Sequence, residues 1–536
     1  MHRPKPESRR RRSLVLHPFL LAAFPVLFLF AHNREEGIGI RDVLFPLGLT
    51  LGAIAVLFGL GWLLFRNLKA VALVVSVWAL LFFSYGRVAE GLGKARIGGV
   101  EIADDAVLLS VWAALAVAAI AVAYLARRRL SGATTALNVV GAVLVAMNLF
   151  SVVFSRPTGT ETPQAQRDAS PSMASPSVRP KNLPDIYYIV PEDYGHPFVH
   201  RQWFGIDTSS FERYLRNKGF YVADRSMSNY QNTHQSLASS LNMEYLNTLV
   251  GDRPTLHGIY AKLQNFKVAN YLQSLGYRYV HIGSWYKPTA KDPTADINLN
   301  FEDLSEFSST LYQTTVLPPI FRTFGVAEDK LDPRRAKWKR TIAEFDLVGR
   351  VKRIPGPKFV FAHLMFPHYQ GPKPPEHTID RNGNFITKKE EERRSYRRLY
   401  GDGILFAAKK MEQVIDSILA DPNYHPIIVL QTDEGAYPNE KLEEEPRLFD
   451  YSTATKEELR NHFLILNAYY VPGMPRDRLY PTITPVNSFR LIFDQYFHGK
   501  FPLFPDKYFA RRMEPYGFVD ITKLLRNELR TVPARV

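Results

Sequence analysis

Residues 185–195, DIYYIVPEDYG, place an unbroken apolar run, Ile186–Val190, directly before the turn Pro191-Glu192-Asp193-Tyr194-Gly195. A short run rich in β-branched and aromatic side chains, with no polar alternation, suits a strand buried on both faces. The same pattern recurs twice downstream. Lys358–Leu364 carries His363 and is followed by His368, and Pro426–Gln431 runs into Thr432-Asp433-Glu434-Gly435. Between these runs the periodicity switches to helix over 209–218, 268–275, 391–419 and 485–497, and to further strands over 219–223, 277–283 and 463–471. Alternation of strand and helix over some 350 residues predicts an α/β domain with a mostly parallel central sheet covered on both faces. In such sheets polar chemistry gathers beyond the carboxyl ends of the strands, which is where these acids and histidines fall.

Upstream of Pro184 the chain changes character. Ser155–Leu183 is rich in Ser, Pro, Thr and Gln and reads as a tether that cannot repay the entropy of ordering. Before it lie five apolar runs, Ser13–His32, Val43–Phe65, Leu68–Tyr85, Ala106–Ala126 and Thr134–Phe154. Each is near the ~20 helical residues that a hydrocarbon core requires. The domain organisation predicted is therefore an N-terminal five-helix transmembrane bundle over 1–155, a linker over 156–183 and an α/β domain over 184–536. No small-residue cleavage site follows the first run, which argues for a span rather than a removed signal peptide. The mild polar residues within the runs, His17, Asn138 and Asn148, are expected to serve helix packing.

The formal charge of +15 is unevenly placed: residues 1–156 hold 17 Lys/Arg against 8 Asp/Glu, leaving +6 for the rest. Arg9–Arg12, Arg66–Lys69 and Arg127–Arg129 fall on one side of the predicted spans, while the opposite loops balance acids against bases. By the positive-inside rule the N-terminus is cytoplasmic, and five spans put the α/β domain outside the cytoplasm, on a multi-pass plasma-membrane protein. Charge that flanks spans instead of clustering on the folded domain argues against nucleic acid as a partner. The chain has no cysteine, which excludes disulfides, thiolate metal ligands and a cysteine nucleophile.

Six segments carry a family resemblance: DIYYIVPEDYG (185–195), SNYQNTHQSLASSLNMEYL (228–246), FVFAHLMFPH (359–368), IIVLQTDEG (427–435), and ILNAYYVPG (465–473) with LYPTITPVNSFRLIF (479–493). In this order they resemble the sulfatase-like branch of the alkaline phosphatase superfamily. They are similar to its membrane-embedded branches, including lipoteichoic acid synthases and phosphoethanolamine transferases, whose anchor with an outward catalytic domain the five apolar runs also resemble. The resemblance implies a nucleophile at a helix N-terminus that also binds a divalent metal, and it places this role on Thr233. A threonine at that position is also a good helix N-cap. The implied ligands are Glu192, Thr233, Asp433 and Glu434, with Asp193 a one-residue alternative to Glu192. His368 matches the family histidine that contacts the oxygens of the transferred group.

Two departures stand out. The first strand ends in Glu192-Asp193 where relatives commonly have Asp-Gly, and Asp433-Glu434 replaces the usual Asp-His. A carboxylate in place of an imidazole makes the implied ligand shell all oxygen. Oxygen donors favour Mn²⁺ or Mg²⁺ over Zn²⁺. His363, His462, Asn461, Trp285 and Lys287 are candidates for the substrate site, His363 equally for a satisfied core histidine. Arg490 is expected to be a structural ion-pair residue.

Without cysteine the formylglycine route of classical sulfatases is closed, and Gln231–Ser236 lacks the Ser-x-Pro-x-Arg pattern of the serine variant. The resemblance then implies phosphorus chemistry: transfer of a phosphoglycerol or phosphoethanolamine headgroup from a membrane lipid donor to an envelope glycolipid or glycopolymer. A phosphate or sulfate ester hydrolase is the alternative reaction. A non-catalytic envelope binding protein is the alternative from another class. Donor and acceptor specificity is expected in the loops Gly283–Leu299 and Gln370–Lys389.

Overall fold

The computed structural model describes residues 14–33, 40–93, 96–97, 100–101, 104–154, 183–251, 254–301, 306–324, 333–368, 377–436, 451, 454–512 and 517–533. The linker expected over 156–183 thus lies almost wholly outside the described residues, as does part of the loop 370–389. The chain forms two compact units. One comprises Met1–Pro157 together with Leu304–Asp332, and the other Thr158–Asp303 with Pro333–Val536.

The first unit contains five apolar helices, α1 (His17–His32), α2 (Ile40–Phe65), α3 (Leu68–Leu92), α4 (Asp105–Ala126) and α5 (Ser131–Phe154). Four of them are long and apolar enough to cross a membrane, and α1 is a shorter apolar helix of 16 residues. Expected from Ser13, α1 instead begins at His17 because α5 caps it. Asn138 Oδ1 accepts the Leu16 and His17 amides at 3.0 and 2.8 Å, and its amide nitrogen donates to Leu14 O at 2.7 Å. Pro18 sits in the first turn, where a missing N–H costs nothing. His17 Nδ1 lies 2.6 Å from Ser76 Oγ on α3. These polar residues therefore serve helix packing, as expected. Large apolar side chains on α2, α4 and α5 face outward, among them Leu64 at 80% and Leu125 at 81% exposure. So wide an exposed apolar surface is tolerated in lipid and not in water.

The second unit is an α/β domain. Apart from the antiparallel pair Phe509–Arg512 and Gly517–Asp520, its strands are β1 (Ile186–Pro191), β2 (Tyr221–Val222), β3 (Arg278–Ile282), β4 (Ile297–Leu299), β5 (Lys358–Leu364), β6 (Ile427–Gln431) and β7 (Asn467–Tyr470). They form one sheet in the order β2-β7-β6-β1-β5-β3-β4. Pairing is parallel from β6 across to β4 and antiparallel at β6–β7 and β7–β2. Alternate residues of each strand feed two separate cores. Tyr187, Ile189, Val360 and Ile428 face one layer, beneath the helices Pro333–Arg350 and Tyr396–Ile418. Ile186, Tyr188, Phe361 and Val429 face the other, beneath α6 (Thr233–Asn242) and the helix Pro485–Phe497.

Two expected elements differ. The helix predicted over 391–419 is split into Lys388–Glu391 and Tyr396–Ile418, each with its own cap, Thr387 and Ser395. The strand predicted over 463–471 is shorter, because Thr455 and Glu458 form a capping box that starts a helix over Lys456–Phe463.

Candidate active site

β1 is the middle strand of the seven-stranded sheet, flanked in parallel by β5 and β6, so three strand ends converge beyond it. Glu192 leaves β1 with its amide bonded to Leu364 O at 2.9 Å. Asp193 adopts a left-handed backbone, φ +51°, and its carbonyl accepts the Tyr400 hydroxyl. Asp433 and Glu434 follow β6. Ser236 Oγ on α6 donates to Asp433 O at 2.6 Å, which ties the β6 end to the helix. Gly435 comes next, and there a Cβ would meet the carbonyl oxygens of Leu464, His462 and Asn461 at 2.5, 2.6 and 2.8 Å. Only glycine lets the chain pass that closely.

Thr233 is the first residue of α6, after Asn232 at the N-cap. Its hydroxyl therefore does not cap the helix. It donates to Glu192 Oε1 at 2.8 Å, with Glu434 Oε1 at 3.4 Å. The first-turn amides of α6 lie at the same end, where the helix favours negative charge.

Two imidazoles complete the cluster. His363, opposite Val190 in the β1–β5 register, places Nε2 2.5 Å from Glu192 Oε2, and its Nδ1 is 2.8 Å from Thr289 Oγ1. His368 Nδ1 is 3.2 Å from Glu192 Oε1 and 3.5 Å from Asp193 Oδ2. Ligand atoms of Glu192, His363 and Asp433 all lie within 4.8 Å of one another, as do those of Glu192, Asp193 and His368. The expected choice between Glu192 and Asp193 is thus not forced, since both point into the cluster. The donor set is also broader than the all-oxygen shell expected, because imidazole nitrogens stand among the carboxylates.

Electrostatics separate the acids. Burial raises the Glu192 carboxyl, but the adjacent imidazoles, His363 first, more than reverse this and hold it well below the usual carboxylate range. Burial, and then the charges of their acidic neighbours, push Asp433 and Glu434 well above that range. Burial opposes charge on His368, yet its bonds to Asp193 and Glu192 lift it to about 9. Both Asp433 carboxylate oxygens and Glu434 Oε2 are buried with no hydrogen-bond partner among the described residues. Four buried acids in one cluster, two of them with oxygens left unsatisfied among the described residues, are costly in a dry protein and fit a bound divalent cation.

The remaining candidates divide. Trp285 stands edge-on to His368 with ring centroids 5.2 Å apart, at the cluster. His462 Nε2 bonds Gln231 O at 2.8 Å and lies 4.0 Å from Glu434 Oε2, beside the acids. Asn461 Oδ1 accepts from the Arg460 guanidinium, a structural contact. Lys287 opens a short helix after Tyr286. Among the described residues Arg490 forms no ion pair of the kind expected. Its guanidinium donates to Met243 O and Pro502 O and stacks on Phe504 at 3.4 Å. Sequence reasoning missed Thr289, which fixes His363, and Lys337, whose ammonium lies 5.7 Å over the Trp285 ring. Neither sits in a segment with a recognisable pattern.

No protein-family model matches this chain, and no curated protein matches it. Solved structures that resemble it include the zinc complex of the C-terminal periplasmic domain of EptC from Escherichia coli. That likeness has 14% identity and a TM-score of 0.41, and covers 67% of this chain and 97% of that one. Another is the integral membrane lipooligosaccharide phosphoethanolamine transferase A of Neisseria meningitidis, with 11% identity, a TM-score of 0.39, and coverage of 90% and 95%. A candidate sulfatase from Bacteroides fragilis matches with 11% identity, a TM-score of 0.38, and coverage of 63% and 83%.

Proposed function

We propose that the chain is a membrane-anchored, metal-dependent phosphotransferase. In this reading it moves a phosphoglycerol- or phosphoethanolamine-type headgroup from a lipid to an envelope glycolipid or glycopolymer through Thr233, with the α/β unit outside the cytoplasm. The observation that carries the reading is the position of Thr233. A hydroxyl at a helix N-terminus, 2.8 Å from Glu192 and 3.4 Å from Glu434, has the positive end of the helix in favour of its deprotonated form, and a cation held among those carboxylates would add to that. The positive-inside charge pattern supports the orientation.

Glu192, Asp433, Glu434 and the Thr233 oxygen would hold the divalent cation, with His363 within reach. The cation would supply the positive charge that lowers the Thr233 pKa and polarises a phosphoryl oxygen. The residues of the chain account for the rest. Thr233 Oγ1, its proton passing to the Glu192 carboxylate that accepts its hydrogen bond, attacks phosphorus while the bond to the diacylglycerol oxygen breaks, giving a headgroup phosphodiester on the threonine. His368, whose imidazolium form is favoured by its bonds to Asp193 and Glu192, would face the oxygens on which charge develops, give its proton to the departing alkoxide and take one back from the acceptor hydroxyl in the second step, as Glu192 returns its proton to Thr233. An acceptor hydroxyl then attacks the same phosphorus from the side that the first leaving group vacated, restoring Thr233.

Purified full-length protein incubated with headgroup-labelled phosphatidylglycerol or phosphatidylethanolamine tests this. Diacylglycerol release with label on Thr233 or on an acceptor is expected, and Thr233→Ala should abolish both. Diacylglycerol with only free, water-soluble headgroup phosphate would instead mark a hydrolase, and no turnover by a metal-loaded protein on any such lipid would refute the transfer reading. Metal analysis decides the cation. Mn²⁺ or Mg²⁺ is expected from the carboxylate-rich set, and stoichiometric tightly held zinc would overturn that preference.

A further inference from the structure

Residues 306–324 stand about 150 positions beyond the last apolar span, within the stretch that the sequence assigns to the α/β domain, yet they fold as part of the membrane unit. They form two short helices, Glu306–Thr314 and Leu317–Phe324. Phe307 and Leu311 on the first are 2% and 7% exposed, packed among Val26, Leu29 and Phe30 of α1, Val43 of α2 and Phe83 of α3. These positions lie at one end of the bundle: the last turns of α1 and α3 and the first of α2.

The contact is built at backbone level. Val316 N donates to Phe82 O at 2.9 Å. At Gly86 of α3 a Cβ would meet Gln313 O at 2.1 Å and Thr314 Cα at 2.9 Å, so a glycine is what lets the two chains approach. On the second helix, Arg322 clamps Asp105 at the start of α4, with Nε to Oδ2 at 2.9 Å and a terminal nitrogen to Oδ1 at 3.1 Å. The Tyr85 hydroxyl donates to the same carboxylate at 3.1 Å.

We propose that residues 306–324 are a latch: a helical pair that binds the ends of α1–α4 in cis and attaches the α/β unit to the membrane independently of the segment that follows α5. The bound surface is this chain's own bundle end, recognised by two apolar anchors, a close backbone approach and a bidentate ion pair. The chain thus passes between its two units three times, near residues 157, 303 and 332. A domain tied at three points explores far less space than one on a single tether, which raises its effective concentration at the lipid surface.

The test inserts a site-specific protease sequence after Pro163 in the full-length, membrane-embedded protein, then cleaves and sediments the membranes. The fragment that begins at residue 164 contains no apolar run long enough to span. It should nevertheless stay in the pellet through the latch. Phe307→Asp with Leu311→Asp should move it to the supernatant. So should Gly86→Leu, which leaves the latch sequence intact and favours helix in α3. The soluble fraction should rise roughly tenfold or more, equivalent to a weakening of the latch by about 1.4 kcal/mol or more. Should the double variant fail to accumulate, Gly86→Leu alone carries the test. Release of the wild-type fragment on cleavage would overturn the proposal, as would retention that neither variant disturbs. A cooperative melting transition in the released fragment separates detachment from unfolding.

Discussion

Leu125 and Ile428 are both branched aliphatic side chains in regular structure, yet the first is 81% exposed and the second fully buried. They stand for two regions that treat the same chemistry in opposite ways. In the helical unit small residues such as Ala22, Ala72 and Ala79 are buried between helices, and the large aliphatic groups of α2, α4 and α5 turn outward. In the α/β unit the large groups turn inward, in two layers separated by the sheet. The difference lies in the solvent. Lipid gives no reward for hiding a leucine, so close backbone packing holds the helices, whereas water makes burial the main driving force.

The largest effect expected is chemical and leaves both regions standing. Thr233→Ala should cut headgroup transfer by on the order of 10³-fold or more, the scale expected when a nucleophile is removed. Its melting temperature should scarcely move, since one hydrogen bond is worth about 1 kcal/mol. Turnover and a thermal melt on the same preparation check this, and a large drop in melting temperature would make Thr233 a structural residue. Next comes Phe361→Ala, in the layer against α6. It should destabilise the α/β unit by about 3–5 kcal/mol and leave the membrane insertion of the helices unchanged.

Val117→Arg inverts that outcome. At 65% exposure a water-soluble fold would accept arginine within about 0.5 kcal/mol. At the middle of α4 in lipid it should cost about 2.5–3.5 kcal/mol, read as reduced insertion in a glycosylation-mapping assay. Normal insertion would break the comparison. Leu503→Arg is the matching control, an exposed leucine of the α/β unit, and it should change stability by under about 0.5 kcal/mol.

The α/β unit also carries a pH-dependent contribution to its stability. Burial pushes the Glu344 carboxyl, on the helix Pro333–Arg350, from its usual 4.5 up to about 8. The folded state therefore holds this proton more tightly than the unfolded chain does. The stabilisation is complete below about pH 4.5 and is lost as pH rises through about 8. Glu344→Gln should flatten that fall in a urea-melt series from pH 5 to pH 9. An unchanged slope would assign it to other groups.

Much of this was legible because local patterns decide it. The buried strands β1, β5 and β6 read directly as apolar runs, and their acidic or histidine-bearing ends pointed to Glu192, Asp433, Glu434 and His368 before any geometry was known. Thr233 was legible only through a motif. That it sits inside the helix instead of capping it depends on Glu192 arriving from 41 residues away. Arg490 was misread because its partners are carbonyls and an aromatic face, which no charge pattern announces. The helix start at His17 depended on Asn138, and the helix over Lys456–Phe463 on a capping box at the edge of an apolar stretch.

The sequence by itself determined two units, an α/β sheet with chemistry at its carboxyl edge, and an apolar helical anchor, because periodicity and hydrophobic run length are properties of neighbouring residues. Tertiary structure alone decided that His363 joins the carboxylates and that both Glu192 and Asp193 face the cluster. It alone returned residues 306–324 to the membrane helices. Each of these depends on pairings between positions tens to hundreds of residues apart, and such pairings leave no trace in local pattern.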